Sequence, residues 1–104
     1  MKVFISQPMK GKTDEEILAV RERAVALVKE HYPEEEIEVL DSYFRDYQPS
    51  TGNVALKYLS KSLELLADAD LAVFMGGWEE ARGCRIENQC AIDYEITVIE
   101  DYRK

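Results

Sequence analysis

Short apolar runs alternate with longer amphipathic segments along the chain, and this alternation constrains its fold more than any other feature. Lys2–Ile5 and Leu71–Met75 are almost continuously apolar, which is typical of strands buried on both faces of a sheet. Ile37–Leu40 alternates between apolar and polar residues, which favours an edge strand. Thr97–Ile99 is another short run, so the pattern predicts four strands.

Three helices are predicted between these strands. Thr13-Asp-Glu-Glu16 forms a capping box at the start of the first helix, and Pro33 ends that helix by disfavouring helical geometry at Tyr32. Leucines spaced by three or four residues mark the second helix, and the third extends from Arg85 to about Tyr94. The side chains predicted to face the core are Ile17, Val20, Ala24, Leu27 and Val28 on the first helix and Ile86, Cys90, Ala91 and Tyr94 on the third.

The resulting element order, βαβαβαβ, predicts a parallel sheet joined by right-handed crossovers. Because the first and third strands are the most apolar, they are expected at the centre of the sheet, which gives strand order 2-1-3-4. At 104 residues, with no linker or repeat, the chain is expected to form one small three-layer α/β domain of Rossmann-like or flavodoxin-like type.

The acidic composition limits the classes of partner. The formal net charge is −8, and the acidic residues are spread along the chain. A protein that binds nucleic-acid polymers or anionic membranes would instead present a basic patch, so neither partner is expected. The apolar N-terminal run is too short for a signal peptide or a membrane span, and the cytoplasm is the expected location.

The cysteine and histidine content argues against metal-based or triad chemistry. Cys84 and Cys90 are six residues apart with no CxxC motif, and His31 is the only histidine. We therefore expect reduced thiols, no metal site and no Ser-His-Asp triad. No organic cofactor is expected either.

The ligand site is expected at the carboxyl ends of the strands, in the crevice between the first and third strands where the strand order reverses. The loops Ser6–Lys12, Asp41–Asn53 and Gly76–Gly83 reach this edge. Gly11-Lys12-Thr13 is similar to the end of a phosphate-binding P-loop, but Ser6 stands where that motif requires its first glycine, so no P-loop is expected. The residues predicted to contact substrate are Ser6, Gln7, Pro8, Met9, Gly11, Asp41, Ser42, Gly76, Gly77, Trp78, Arg82 and Gly83.

Several of these residues have alternative roles that the sequence leaves open. Trp78 could stack on a base or cap the core, and Arg82 could bind a phosphate or form an ion pair at the surface. Asp41 and Ser42 follow the second strand, where folds of this class read a ribose hydroxyl, although an Asx-type turn would use the same residues. Free backbone amides at the start of the first helix could also favour a phosphate.

Glu87 is the candidate catalytic residue. It lies four residues before Ala91 on the third helix, which turns its side chain partly inward near the helix N-terminus. The helix dipole and a nearby arginine, Arg82 or Arg85, are expected to keep the carboxylate ionised. A positioned carboxylate beside a sugar can attack the anomeric carbon, although a lone helical glutamate is more often a solvated or ion-paired side chain.

Two segments of the sequence resemble the nucleoside 2-deoxyribosyltransferase family. Gly83-x-x-x-Glu87-x-x-x-Ala91 follows a strand that ends in glycine and an aromatic residue, and it is similar to the catalytic helix of that family. Phe4-Ile-Ser-Gln-Pro-Met-x-Gly11 resembles its first strand and its ribose- or phosphate-binding loop. The resemblance extends from Lys2 to about Asp101 and is closest to a small bacterial and phage subgroup of deoxyribosyltransferase-like proteins.

The resemblance implies a reaction and a role for Glu87. Family enzymes cleave the N-glycosidic bond of a 2-deoxynucleoside, hold the deoxyribosyl group on a glutamate that corresponds to Glu87, and pass it to another base. Relatives that act on nucleoside monophosphates pass it to water. The sequence departs from the family at two points. Ala81, next to Glu80, replaces the usual base-contacting aspartate, and the first loop lacks the tyrosine that supports the glutamate, a role open to Tyr43 or Tyr47.

The sequence thus predicts an enzyme that acts on a nucleoside or nucleotide through Glu87, and the alternative is a non-catalytic nucleotide-binding or sensing module. The missing aspartate favours the alternative, whereas an inward-facing Glu87 favours the enzyme. A homo-oligomer is also expected, because the family's members complete their sites with a neighbour's residues. The chain also carries more aromatic residues in and after its longest loop than a small core can bury; these are Tyr43, Phe44, Tyr47 and Tyr58.

Overall fold

A central parallel sheet carries helices on both faces in a computed structural model, which describes residues 1–103. The strands are β1 (Lys2–Ser6), β2 (Glu38–Leu40), β3 (Leu71–Phe74) and β4 (Thr97–Glu100), and the helices are α1 (Asp14–His31), α2 (Val54–Leu66) and α3 (Arg82–Asp93). A short 3₁₀ turn, Trp78–Glu80, precedes α3. The strands lie in the order β2-β1-β3-β4, which confirms the predicted α/β class and the predicted order 2-1-3-4.

The two most apolar strands occupy the centre of the sheet. Within β1, Phe4 pairs in parallel with Leu40 of β2 on one side and with Ala72 of β3 on the other. All four residues of β3 are buried, whereas β2 is largely exposed, as expected of an edge strand. The apolar runs of the sequence therefore determine which strands lie inside the sheet.

Two core clusters, one on each face of the sheet, give the three-layer Rossmann-like architecture. Successive side chains of a strand point to opposite faces, so Val3 and Ile5 of β1 pack against α1, including Ala24 and Val28. Phe4 points to the other face and packs in the cluster that α2 and α3 cover. The single helix α1 thus covers one face, and the helix pair covers the other.

α1 follows its sequence signals closely. Thr13 Oγ1 accepts a hydrogen bond from the Glu16 amide, and the Glu16 carboxylate accepts one from the Thr13 amide, each at 3.1 Å, which confirms the capping box. Its buried side chains include Ile17, as predicted, and also Arg21, which the apolar pattern does not place in the core. Within residues 1–103 no helix is both long and apolar enough to cross a membrane.

α3 differs from its prediction in its start and in its buried face. It begins at Arg82, three residues earlier than predicted. The N-cap residue Ala81 makes no side-chain hydrogen bond, so the sequence carries no capping signal for this start. Tyr94 is 80% exposed and Ile86 is also exposed, so the predicted apolar face is wrong at both residues. The buried side chains are Glu87 and Ala91, which were predicted to face inward, together with Cys84 and Asn88, which were not.

Candidate functional site

The Glu87 carboxylate lies where three elements of the fold meet. Its side chain, in the second turn of α3, is only 8% exposed. Ser6 Oγ, at the carboxyl end of β1, donates to Glu87 Oε1 at 2.6 Å. Ser62 of α2 lies close enough to the carboxylate for its hydroxyl to lower the pKa of Glu87. β1, α2 and α3 thus converge on one acidic group at the edge of the sheet where the ligand site was predicted.

The pleat of β1 explains why Ser6 reaches Glu87. Ser6 lies two residues after Phe4, so both side chains point to the face that α2 and α3 cover. Gln7 comes next and points to the opposite face, where its side chain contacts α1. At the end of β1, the Ser6 side chain therefore points toward α2 and α3, and the Gln7 side chain points toward α1.

The expected arginine partner of Glu87 is absent from the contacts within residues 1–103. Arg85 Nη1 donates instead to the Glu79 carbonyl at 3.1 Å, and the Arg82 side chain is exposed at the start of α3. The helix dipole acts mainly within the first turn of a helix. Because α3 begins at Arg82, Glu87 lies beyond that turn. The prediction that dipole and arginine hold this carboxylate ionised is therefore wrong.

Burial dominates the electrostatics of this carboxylate. Removal from water raises the pKa of Glu87 above its ordinary value, and the nearby hydroxyls of Ser6 and Ser62 act in the opposite direction without cancelling this effect. Burial also raises the pKa of the neighbouring Cys84 thiol to about 11, and the charge of Glu87 acts in the same direction. Cys84 is therefore a thiol rather than a thiolate at neutral pH, which makes it a poor nucleophile.

A second buried polar group lies on the α1 side of β1 and centres on Arg21. Arg21 Nη1 donates to Gln7 Oε1 and Arg21 Nη2 donates to Ser42 Oγ, both at 3.1 Å. Gln7 Nε2 donates to the Ile17 carbonyl at 3.1 Å, and Ser42 Oγ donates to the Ile5 carbonyl at 2.9 Å. The side chains of Gln7 and Ser42 thus bond within the protein, and their predicted contact with substrate stays a prediction.

The loops that follow β1 and β3 touch each other. Gly77 has φ of 88°, a left-handed conformation that glycine adopts without strain, and a Cβ at this position would lie 3.4 Å from Pro8 Cγ. Met9 accepts a hydrogen bond from the Lys12 amide at 3.0 Å, which closes a turn that also contains Gly11. Two of the three predicted site loops are therefore adjacent, as the strand order requires.

Trp78 and Asp41 each contact residues near them in the protein. Trp78 is buried between Phe74 and Tyr102, with ring centroids 5.7 Å and 5.9 Å away, so it caps the core rather than lying open to a base. Asp41 Oδ1 accepts from the Tyr43 amide at 3.1 Å, which is the Asx-type turn that the sequence leaves open. Of the other predicted residues, Gly76 and Gly83 are half-buried near the start of α3.

The start of α1 is less available to a phosphate than the sequence suggests. The capping box uses the amides of Thr13 and Glu16. The Tyr43 hydroxyl hydrogen bonds Asp14 in the same turn. A phosphate would have to displace the carboxylates of Asp14 and Glu16, so the predicted anion site at the start of α1 is not supported.

Two open depressions lie along α2 and the loop that follows β2. One, of about 300 Å³, is lined by Asp41, Tyr43, Phe44, Arg45, Asp46, Tyr47 and Lys61. The other, of about 310 Å³, is lined by Tyr47, Lys57, Ser60, Lys61 and Glu64. Lys61 Nζ lies 4.3 Å from the centre of the Tyr47 ring and 5.1 Å from that of Phe44. Among the predicted site residues only Asp41 lines either depression.

Comparison with known families places this chain. The family described as Domain of unknown function (DUF4406) matches residues 1–100. The chain belongs to the DUF4406 family. No curated protein and no solved structure matches it. The DUF4406 match extends from β1 to β4 and so includes Ser6 and Glu87, but the description of the family assigns no activity. The similarity to nucleoside 2-deoxyribosyltransferases therefore stays a prediction.

Three residues of this DUF4406 chain that contribute to the two polar groups were not predicted from the sequence. Ser62 and Cys84 lie next to Glu87, and Arg21 organises the group on the other face. A serine or cysteine within a helix carries no signal of its own. Arg21 could have been noticed, because it follows Ile17 by four residues and precedes Val28 by seven, which puts it on the core-facing stripe of α1.

No set of three histidine, cysteine, aspartate or glutamate side chains in residues 1–103 is placed to hold a metal ion. The functional groups that meet at the candidate site are one buried carboxylate, two hydroxyls and a thiol, contributed by Glu87, Ser6, Ser62 and Cys84.

Proposed function

We propose that this DUF4406 chain cleaves the N-glycosidic bond of a nucleoside or nucleotide, with Glu87 as the nucleophile. The observation that carries the proposal is the Glu87 carboxylate itself, buried at the carboxyl edge of the sheet with the Ser6 hydroxyl 2.6 Å away. A hydroxyl donor orients the carboxylate without neutralising it, in contrast to an arginine. The resemblance of residues 83–91 to a deoxyribosyltransferase catalytic helix supports the same residue.

The proposed reaction needs only the Glu87 carboxylate, water or a second base, and the exchange of protons with solvent. A carboxylate oxygen of Glu87 attacks C1′ of the sugar and forms an ester bond as the C1′–N bond breaks. The bonding electron pair leaves with the base, which takes up a proton from solvent. Water, or a second base, then attacks C1′ and releases the Glu87 carboxylate, and the proton of the attacking group returns to solvent. The products of the hydrolytic form are the free base and the free sugar or sugar phosphate.

Substrate access requires movement around the carboxylate. Glu87 is 8% exposed and Ser6 is 2% exposed, so little of this pair is open to the C1′ atom of a sugar. The loops that follow β1 and β3 meet at Pro8 and Gly77, and Pro8 is two residues after Ser6. We infer that they separate, or that α2 shifts at Ser62, when substrate enters.

We further propose that the chain forms a homo-oligomer through the layer of α2 and α3. The loop aromatic residues do not require a partner, because Phe44, Tyr47 and Tyr58 pack on one another. The helix layer does expose apolar side chains, and Leu56 is 59% exposed. The charged residues of α2 and α3 sum to +1, in a chain whose net charge is −8, so this is a face on which two copies meet with little repulsion.

The second candidate function is a non-catalytic module that binds or senses a nucleotide. The limited access to Glu87 favours it, because a side chain that is only 8% exposed meets the C1′ atom of a sugar only after the chain moves. The alanine at position 81, where related transferases carry an aspartate, points the same way. In this case Glu87 would accept a hydrogen bond from a sugar hydroxyl.

Turnover assays on matched variants test the proposal. The wild type is incubated with a panel of deoxynucleosides and deoxynucleoside monophosphates, and free base is measured by chromatography. Release of base from at least one substrate is expected, with a fall of several orders of magnitude in Glu87→Gln and Glu87→Ala, because both lack the attacking oxygen pair. Glu95→Gln, an exposed glutamate after the same helix, is the control and should match the wild type. Full activity in Glu87→Gln would contradict the proposal.

A further inference from the structure

Arg21 is a buried cation for which the proposed reaction has no use. Its side chain is 9% exposed, and the acceptors of its hydrogen bonds, Gln7 Oε1 and Ser42 Oγ, are both neutral. Asp41 acts on it through space, with no hydrogen bond between them within the described residues. A buried guanidinium without an ion pair is costly, and an apolar side chain would pack at the same place on α1. The position therefore favours a role that an apolar residue cannot perform.

The two acceptors of Arg21 connect it to the backbone before and after Ser6. Gln7 directly follows Ser6 in the chain, and its amide group also donates to the backbone of α1 at 3.1 Å. Ser42 donates to the carbonyl of Ile5, the residue before Ser6, at 2.9 Å. The chain is therefore tied to Arg21 immediately before and immediately after Ser6.

Ser6 is the residue that needs such a restraint. It is the last residue of β1, where the sheet ends and the loop begins, and its hydroxyl must point away from α1 to reach the carboxylate on α3. A rotation of the backbone at this point would carry the hydroxyl off the 2.6 Å contact. The planar guanidinium fork reaches two acceptors at once, which the single ammonium of lysine does less well.

We propose that Arg21 is a positioning residue that fixes the backbone around Ser6 and so aims its hydroxyl at Glu87. This proposal rests on the proposed function, because the direction of the Ser6 hydroxyl affects the rate of a reaction only if the Glu87 carboxylate reacts. The geometric part stands by itself. Arg21 stays protonated throughout and takes part in no bond change.

The test uses Arg21→Met, which keeps an unbranched, largely apolar stem and removes the guanidinium fork, with Arg21→Lys as the conservative variant. Arg23→Met, an exposed arginine on the same helix, is the matched control. The first measurement is the pKa of the Glu87 carboxyl, followed by ¹³C NMR in full-length protein labelled at glutamate. The second is the kcat and KM of the glycosidic reaction.

Arg21→Met is expected to raise the pKa of Glu87 toward the value found in Ser6→Ala, because the carboxylate loses the same hydrogen bond in both. It is also expected to lower kcat about 10²-fold with little change in KM, the size of effect that a misplaced group of this kind produces. Arg21→Lys should fall between Arg21→Met and the wild type, and Arg23→Met should match the wild type. A folded Arg21→Met with the wild-type Glu87 pKa and kcat overturns the proposal.

If Arg21→Met does not fold, Ser42→Ala replaces it, because it breaks the branch to Ile5 and leaves the contact with Gln7. A shift of the Glu87 pKa in the same direction supports the proposal, and an unchanged pKa overturns it. If the wild type turns over no substrate at all, the proposed function fails, while the Glu87 pKa still decides whether Arg21 positions Ser6.

Discussion

At the scale of single residues, the burial of Glu87 has a consequence for stability. Burial raises the pKa of this carboxyl in the folded protein, so the folded state holds the proton more tightly than the unfolded chain. The contribution of Glu87 to stability is therefore greatest below its ordinary pKa of 4.5 and is lost as the pH rises through the raised value. Ionisation of this buried carboxyl therefore destabilises the fold.

Glu87→Gln is accordingly expected to be more stable than the wild type at neutral pH, and the difference should shrink as the pH falls through the raised pKa and level off below about 4.5. Glutamine keeps the size of the side chain and an oxygen that can accept from Ser6. Urea unfolding of both proteins across this pH range measures the difference, in which the other titrating groups cancel. A Glu87→Gln protein that is less stable than the wild type at neutral pH would mean that the carboxylate is stabilised by its surroundings.

The residue scale is also where prediction from the sequence was least complete. Glu87 was found because its position relative to Ala91 turns it inward, and because its surroundings resemble a known catalytic helix. Ser62 was not found, since a hydroxyl on α2 becomes a neighbour of Glu87 only through packing of two helices. The missing arginine partner shows the same limit. Arg85 is close in sequence, but its guanidinium points to the Glu79 carbonyl.

At the scale of elements, one glycine before α3 and one glycine within its first turn have opposite conformational requirements. Gly77 has a positive φ and lies against Pro8, whereas Gly83 is inside α3 with open space where a Cβ would be. Gly77→Ala is expected to lower the free energy of unfolding by about 1–2 kcal/mol, because a side chain is strained in the left-handed conformation. Gly83→Ala is expected to raise it by about 0.4–1 kcal/mol, because alanine restricts the unfolded chain and fits the helix.

The two variants control each other, since both add one methyl group within the same segment. Thermal or urea unfolding of the pair measures the two effects. Equal changes in both would show that the turn is not held by the conformation of Gly77. A loss of turnover in Gly83→Ala, without a loss of stability, would indicate that substrate approaches the backbone at the start of α3.

The elements themselves were largely predictable, and the exceptions have physical causes. The continuous apolar runs specified β1 and β3, and the alternation in Ile37–Leu40 specified an edge strand. The start of α3 was missed by three residues because Ala81 is not a capping residue. The depressions beside α2 were not predicted either, because they depend on how the loop after β2 folds back onto Lys61 and Tyr58.

At the scale of the whole molecule, the open question is what covers the apolar side chains of the helix layer. Leu56 on α2 is 59% exposed, while Leu18 on α1, which is also exposed, belongs to the more acidic layer. We expect sedimentation at tens of micromolar to show a dimer or a larger oligomer. Leu56→Lys should shift the protein toward the monomer, and Leu18→Lys should not. A wild type that sediments only with the mass of one chain would rule out this assembly.

The proposed reaction requires a covalent bond between Glu87 and the sugar. Intact-protein mass spectrometry after incubation with 2-deoxy-2-fluoro nucleosides and their monophosphates detects this bond. The fluorine destabilises the oxocarbenium-like transition state, so the glycosyl ester should accumulate. We expect an added mass of one fluorinated sugar or sugar phosphate, located on Glu87 by peptide mapping and absent from Glu87→Gln. No adduct and no release of base, in a protein that binds the same compounds, would contradict the proposed reaction and would favour the non-catalytic module.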